Sequence, residues 1–317
     1  MRVVFAGTPA FAVPSLRALP AAGYTVPLVL SQPDRPRGRG RILEPTPVKA
    51  AALELGLRCV QPERIREARE EIRAAAPDVI VTAAYGQKVP DSVLALAPHG
   101  GLNVHASVLP RHRGASPVAC AILSGDAESG ITIFRMVKEM DAGPVLVAAT
   151  LPIPPTATAD ELEVLLSARA APLLLDALRL LEEGKAQFRE QDHARATLAP
   201  KLRREDGILD WARPAAELAL RVRAMSAWPG ASAVFVRPDG SRIRVTVLAA
   251  APVAGEFAGA PGDVVEIRRG AVRVRAGEGA LDLLRLQPES RKPQTADEFA
   301  NGFRLREGGP CRFEKAQ

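Results

Sequence analysis

The chain has 317 residues, enough for about two domains of ordinary size, and its 47% hydrophobic and 25% charged residues exclude collagen-like, low-complexity and disordered chains. Forty-two basic against 36 acidic side chains give a net charge of +6, with most of the excess in residues 201–317 (20 basic, 15 acidic), a distribution that suits a polyanionic partner such as RNA. Cys59, Cys120 and Cys311 are too few and too far apart for a disulfide framework or a metal knuckle, and no uninterrupted run of about 18 apolar residues predicts a membrane span, so a cytoplasmic protein without a metal is expected.

Over the first 150 residues short apolar runs alternate with helical stretches, the rhythm of a doubly wound, mostly parallel sheet with crossover helices. Strands are predicted at 3–6, 25–30, 78–83, 102–105, 131–137 and 145–153. A helix is expected over 11–21, and Thr46-Pro47 reads as an N-cap and first helical residue for another ending near Leu55. Glu63 to Ala75 reads as a charged surface helix. Thr158 and Glu161 form a capping-box pattern opening a long helix to about Gly184, with a break expected at Pro172. Residues 187–200 hold few apolar anchors and read as a linker. Beyond it, short strands at 233–237, 243–248, 264–267, 272–275 and 281–286, joined by turns such as Pro238-Asp239-Gly240, imply a small β-barrel.

Two segments carry chemical promise. Asn103 and His105 stand on one face of a predicted strand, because side chains alternate with period two, and the C-terminal end of a parallel strand looks into the ligand crevice of such a sheet. Asp141, in the turn-rich Met140-Asp141-Ala142-Gly143-Pro144, would orient the imidazole and favour its charged form. An amide donor, an imidazole and a carboxylate meet the needs of acyl transfer to an amine with no Ser or Cys nucleophile. The second segment, 31–49, places Arg35, Arg37, Arg39, Arg41 and Lys49 among glycines and prolines, against Asp34 and Glu44. It is long for a strand-to-helix connection, which points to function. Neither G-x-G-x-x-G nor G-x-x-x-x-G-K-[ST] occurs.

Ala6-Gly7-Thr8-Pro9, Gln32-Pro33-Asp34-Arg35, Ala84-Tyr85-Gly86, Asn103 through Arg111, Arg113-Gly114-Ala115-Ser116-Pro117 and Met140 through Pro144 resemble, in order and spacing, the methionyl-tRNA formyltransferase family. The match continues through Lys201-Leu202, Gly207 to Trp211 and Ala227 to Ala231. The resemblance implies a Rossmann-like formyltransferase domain over 1–188, a linker over 189–206 and a small C-terminal OB-like β-barrel over 207–317 that binds tRNA. It implies transfer of a formyl group from 10-formyltetrahydrofolate to the α-amine of methionyl initiator tRNA, by a monomer. Asn103, His105 and Asp141 become the catalytic set, and the folate loop falls on Ser107, Val108, Leu109 and Pro110, with Val108 where the family has Leu. Arg35, Arg37, Arg39, Arg41, Lys201 and Arg203 are expected to bind RNA, with the barrel arginines Arg242, Arg244, Arg268, Arg269, Arg273 and Arg275 as a wider footprint. His112 replaces a common Trp and is given no catalytic role. The expected mechanism has protonated His105 and Asn103 stabilising an oxyanion, with Asp141 keeping His105 charged and a bell-shaped pH profile. Formyl transfer to another amine, or hydrolysis of the same donor, differs in the acceptor rather than in these three residues.

Overall fold

Val3 to Ala6, Val79 to Val81 and Leu28 to Leu30 are essentially inaccessible to solvent, as expected of parallel strands covered on both faces. In the computed structural model, which describes residues 1–37, 42–306 and 310–316, these runs are the centre of a seven-stranded sheet. In chain order the elements are β1 (Arg2–Gly7), α1 (Val13–Ala21), β2 (Thr25–Leu30), β3 (Arg35–Arg37), β4 (Ile42–Glu44), α2 (Pro47–Glu54), β5 (Cys59–Val60), α3 (Arg69–Ala74), β6 (Val79–Ala83), α4 (Asp91–Leu94), β7 (Gly101–His105), β8 (Arg113–Gly114), α5 (Pro117–Leu123), β9 (Glu128–Arg135), β10 (Val145–Pro152), α6 (Ala159–Glu182) and β11 (Leu198–Ala199). The sheet order is β10-β9-β7-β6-β1-β2-β5. Strands β5, β2, β1, β6 and β7 run parallel, and β9 and β10 are antiparallel additions beyond β7.

The local signals act as their chemistry requires. The Thr46 side chain accepts from the Lys49 N–H at the start of α2, with Pro47 in the first turn. Thr158 and Glu161 exchange hydrogen bonds ahead of α6. Helix α6 runs through Pro172 without the expected break. Pro172 and Ala168, whose carbonyl loses its partner, both lie on the exposed side, while Leu166, Ala170, Leu174, Ala177 and Leu178 keep the buried stripe continuous.

The chain divides into two compact units, the first made of Met1–Pro117, Glu128–Pro152 and Glu163–Ala199, the second of Val118–Ala127, Ile153–Leu162 and Pro200–Gln317. Two early pieces therefore belong to the second unit. Within it the Arg223 guanidinium donates to the Pro155 carbonyl at 2.5 Å, and the Asp160 N–H to Ser226 at 3.5 Å.

The second unit contains α7 (Ala215–Ala224), β12 (Ala231–Val236), β13 (Arg242–Val253), β14 (Val264–Arg268), β15 (Ala271–Arg275), β16 (Ala280–Pro288), β17 (Gln294–Thr295), α8 (Ala296–Gly302) and β18 (Arg312–Lys315). Its antiparallel sheet has the order β14-β15-β16-β13-β12-β18, with β17 beside β16. The sheet curls until its ends meet: the Val264 N–H donates to the Cys311 carbonyl at 3.0 Å and the Phe313 N–H to the Gly262 carbonyl at 2.7 Å. This joining of edges makes the barrel. Phe235, Phe299, Phe303 and Phe313 fill it, with ring centroids 4.6 to 5.6 Å apart in the closest pairs, and Trp211 packs on Phe313. Helices α7 and α8 and strands β17 and β18 are additional to the predicted elements; α8 opens on a capping box of Thr295 and Glu298.

Candidate active site

Strand β7 brings Asn103 and His105 to the C-terminal edge of the parallel strands, between β6 on one side and β9 on the other. Register pairs Asn103 with Thr82 of β6 and with Phe134 of β9, and His105 with Thr132 of β9. The Thr82 hydroxyl donates to the Asn103 side-chain oxygen at 2.7 Å. An amide whose oxygen is held this way turns its NH2 to the other side as a donor. Phe134 meets the His105 ring edge-on, with centroids 6.3 Å apart.

His105 is buried, and both of its ring nitrogens face acceptors. Nε2 lies 2.9 Å from the His112 carbonyl, and Nδ1 lies 3.7 Å from Asp141 Oδ2. A carbonyl can only accept, so Nε2 carries a hydrogen. Burial pushes the His105 imidazolium below its ordinary range, against the opposing pull of the Asp141 charge and the His112 carbonyl. The resting ring is therefore neutral with Nδ1 bare, and a bare nitrogen facing a carboxylate explains why that separation exceeds hydrogen-bond length. The charged ring expected from Asp141 alone is reversed by desolvation, an effect that depends on how deeply the strand is packed.

Asp141 sits at φ +50°, a backbone conformation costly for a non-glycine residue. Several contacts hold it there. Its Oδ2 accepts from the Gly114 N–H at 2.8 Å, and its own carbonyl accepts from the Gln191 amide at 2.9 Å. Gly143 completes the turn because a Cβ there would come within 1.9 Å of the Arg135 carbonyl oxygen.

The residues that read as the start of a linker lie against this site. The Thr197 side chain accepts from the His112 N–H at 2.8 Å, and the Arg113 N–H donates to the Thr197 carbonyl at 2.8 Å. Strand β11 then pairs in parallel with β8, Leu198 opposite Arg113 and Ala199 opposite Gly114. The backbone groups that touch His105 and Asp141 are thus fixed by a segment 85 residues away in the chain. Polar residues such as Gln191 and Thr197 carry no hydrophobic period, and nothing in their spacing marks them. The one signal is Arg113-Gly114: a Cβ at Gly114 would meet the Ala199 carbonyl at 2.4 Å.

A family model described as formyl transferase matches residues 1–178, and one described as formyl transferase, C-terminal domain, matches residues 201–304. Over 309 residues the chain is 45% identical to a methionyl-tRNA formyltransferase of Solibacter usitatus (strain Ellin6076), with 97% of each chain covered. It is 41% identical over 310 residues to one of Geobacter sulfurreducens (strain ATCC 51573 / DSM 12127 / PCA), covering 97% of this chain and 96% of the relative. This chain belongs to the methionyl-tRNA formyltransferase family. Its fold is also similar to that of HypX from Aquifex aeolicus, solved in complex with tetrahydrofolic acid, at a TM-score of 0.63 and 22% identity. That likeness covers 96% of this chain and 47% of HypX, so the chain spans about half of HypX's length.

Ser107 is buried and its hydroxyl donates to the Arg111 carbonyl at 2.6 Å. Thr132 bridges the loop, donating to the Ser107 carbonyl at 2.7 Å and accepting from the Leu109 N–H at 3.1 Å. Val108 lies over Gly130, where a Cβ would come within 2.6 Å of its side chain. The loop from Ser107 to Pro110 is thus tied down, with Ser107 turned inward and Val108 and Leu109 as its apolar part. Among the described residues, no group of three or more His, Cys, Asp or Glu could hold a metal ion, and no helix is long and apolar enough to cross a membrane.

Arg35 is exposed on β3, which pairs with β4 as Arg35 opposite Glu44; Arg37 ends that strand, and Arg39 and Arg41 lie outside the described residues. Lys49 turns to the base of this hairpin, where it pairs with Asp34. Burial alone would raise the Asp34 carboxyl, but bonds from Lys49 and Gln61 hold it below its ordinary value. Lys201 and Arg203 are exposed in the second unit. Several barrel arginines are paired with carboxylates of the same unit: Arg268 and Arg273 converge on buried Asp282, and Arg242 pairs with Glu314. Cys59 and Cys120 are half-buried, and burial pushes the Cys59 thiol up to about 11, so it stays protonated and unreactive at neutral pH.

Proposed function

We propose that this protein transfers the formyl group of 10-formyltetrahydrofolate to the α-amine of methionyl initiator tRNA, acting as a monomer in the cytoplasm, with Asn103, His105 and Asp141 as its catalytic residues. The observation that carries the residue roles is the setting of His105: buried, with Nε2 2.9 Å from the His112 carbonyl and Nδ1 3.7 Å from Asp141 Oδ2. Kinship to methionyl-tRNA formyltransferases over nearly the whole chain supports the choice of acceptor.

The donor supplies a formyl carbon on a nitrogen that leaves. The chain's residues do the rest. The Asn103 NH2, oriented by Thr82, donates to the formyl oxygen as it takes on negative charge, a contribution of about 3 kcal/mol. His105 Nδ1 accepts the proton of the attacking amine, and the Asp141 carboxylate, 3.7 Å away, stabilises the imidazolium so formed. The proton then passes to the leaving nitrogen. Half-buried Val108 offers apolar surface that suits a flat pterin ring, while Leu109 is buried, and the fit is one of packing, since the Ser107 hydroxyl donates to Arg111. Arg35, Arg37, Arg39, Arg41, Lys201 and Arg203 contact tRNA phosphates, the sequence-independent part of binding.

The test is labelled formyl transfer by the purified chain to methionyl initiator tRNA, to methionyl elongator tRNA, and with no acceptor. Initiator-dependent transfer is expected. Acceptor-independent release of formate would assign the site to hydrolysis instead.

A further inference from the structure

We propose that Gln191 is a positioning residue for formyl transfer: its side-chain amide clamps the backbone of the Asp141 turn to the β8 strand and so fixes the carboxylate beside His105. The proposal rests on the functional reading above. Gln191 is only 7% exposed. Its Nε2 donates to the Asp141 carbonyl at 2.9 Å and to the Gly143 carbonyl at 2.7 Å. Its Oε1 accepts from Arg113, from Nη2 at 2.6 Å and Nε at 3.1 Å.

The donor and acceptor chemistry admits one orientation. Two carbonyls can only accept and a guanidinium can only donate, so the amide must present NH2 to the turn and oxygen to Arg113. Neither a carboxylate nor an apolar side chain of the same length can do both. The next residue along β8 is Gly114, whose N–H holds Asp141 Oδ2. The turn is therefore gripped twice from the same strand, once at its backbone through Gln191 and once at its carboxylate. Such a grip is needed because Asp141 is held at φ +50°, a conformation that relaxes if its restraints are removed. Arg113 also reaches His193 Nδ1 at 3.1 Å, which anchors the far end of the clamp. Gln191 touches neither of the reacting groups and acts through Asp141 alone.

Gln191→Met keeps the volume and removes every bond; Gln191→Glu keeps the acceptor for Arg113 and removes both donors. Both are expected to lower kcat about tenfold, with KM for each substrate within about twofold. In an Asp141→Asn background, Gln191→Met should cost less than about twofold further, because the carboxylate it positions is gone. A kcat within about twofold of the parent in either folded variant, or the full loss persisting in the Asp141→Asn background, overturns the proposal. A readout that needs no turnover accompanies these: hydrogen exchange of the peptide spanning residues 139–145 should accelerate at least about tenfold in Gln191→Met, with β6 unchanged. Unchanged exchange there overturns the clamp whatever the enzyme acts on, and also serves if one variant does not fold. Inactivity of the parent toward methionyl initiator tRNA would instead count against the functional reading alone.

Discussion

Strand β7 and the segment from Gln191 to Ala199 serve the same few atoms in opposite ways. Strand β7 supplies the groups proposed to react, an imidazole and an amide. The 191–199 segment supplies none. It sets the His112 carbonyl and the Gly114 N–H in place through the Thr197 hydroxyl and backbone pairing, and the Asp141 turn by one amide. The two are alike in burial at the key positions, His105 at 6% and Gln191 at 7% exposed. The difference teaches that the reactive strand is over-determined from outside: the ring nitrogen contacts that define its tautomer depend on a chain segment that looks featureless.

The contrast breaks most sharply under substitution. His105→Gln or Asn103→Ala should lower kcat by about 10²- to 10³-fold with the fold intact by circular dichroism, since each removes a group proposed to contact the reacting atoms. Retention of more than about a tenth of the parent's turnover in His105→Gln would remove strand β7 from its role. Gly114→Ala acts on the other region alone. Its Cβ would drive into the Ala199 carbonyl, at a φ of +129° that suits only glycine. Separation of β11 from β8 should then lower kcat at least about tenfold and stability by about 2 kcal/mol, measured by denaturant titration.

The pH dependence sharpens the assignment of protons. The proposed role needs a neutral His105, and burial places its folded value below the ordinary 6.5. Log kcat should therefore rise with pH through an acid limb centred below about 6.5 and level off above it. Asp141→Asn removes the charge that raises this value, so the limb should move to still lower pH as kcat falls. A limb above about 6.5 in the parent would restore the charged resting ring. The smallest effect belongs to the exposed basic residues: Arg35→Ala with Lys201→Ala and Arg203→Ala should raise KM for tRNA several-fold and flatten its salt dependence, leaving kcat unchanged.

Much of the site is legible in the amino-acid sequence. Asn103 and His105 alternate on a strand with clear apolar periodicity, and the loop Asp141 follows at a turn that glycine and proline mark openly. The second unit's hairpins are equally readable, because Pro238-Asp239-Gly240 and Arg269-Gly270 punctuate β-branched runs. Thr82 is not, although register sets it beside Asn103; a threonine within a buried strand reads as packing. Pro172 reads as a break in α6, yet on the exposed side it interrupts nothing that the core needs. The barrel arginines read as a free positive surface, whereas Asp282 and Glu314 answer several of them.

Periodicity and turn chemistry by themselves determined a doubly wound sheet followed by a small barrel, with Asn103 and His105 on one face of a strand. These are local properties: each depends on residues a few positions apart. The hydrogen-bond partners of His105, the grip on Asp141 and the ion pairs of the barrel arginines were decided by tertiary structure alone. Burial and hydrogen-bond partners depend on which distant segments meet, and no local pattern in the chain encodes that meeting.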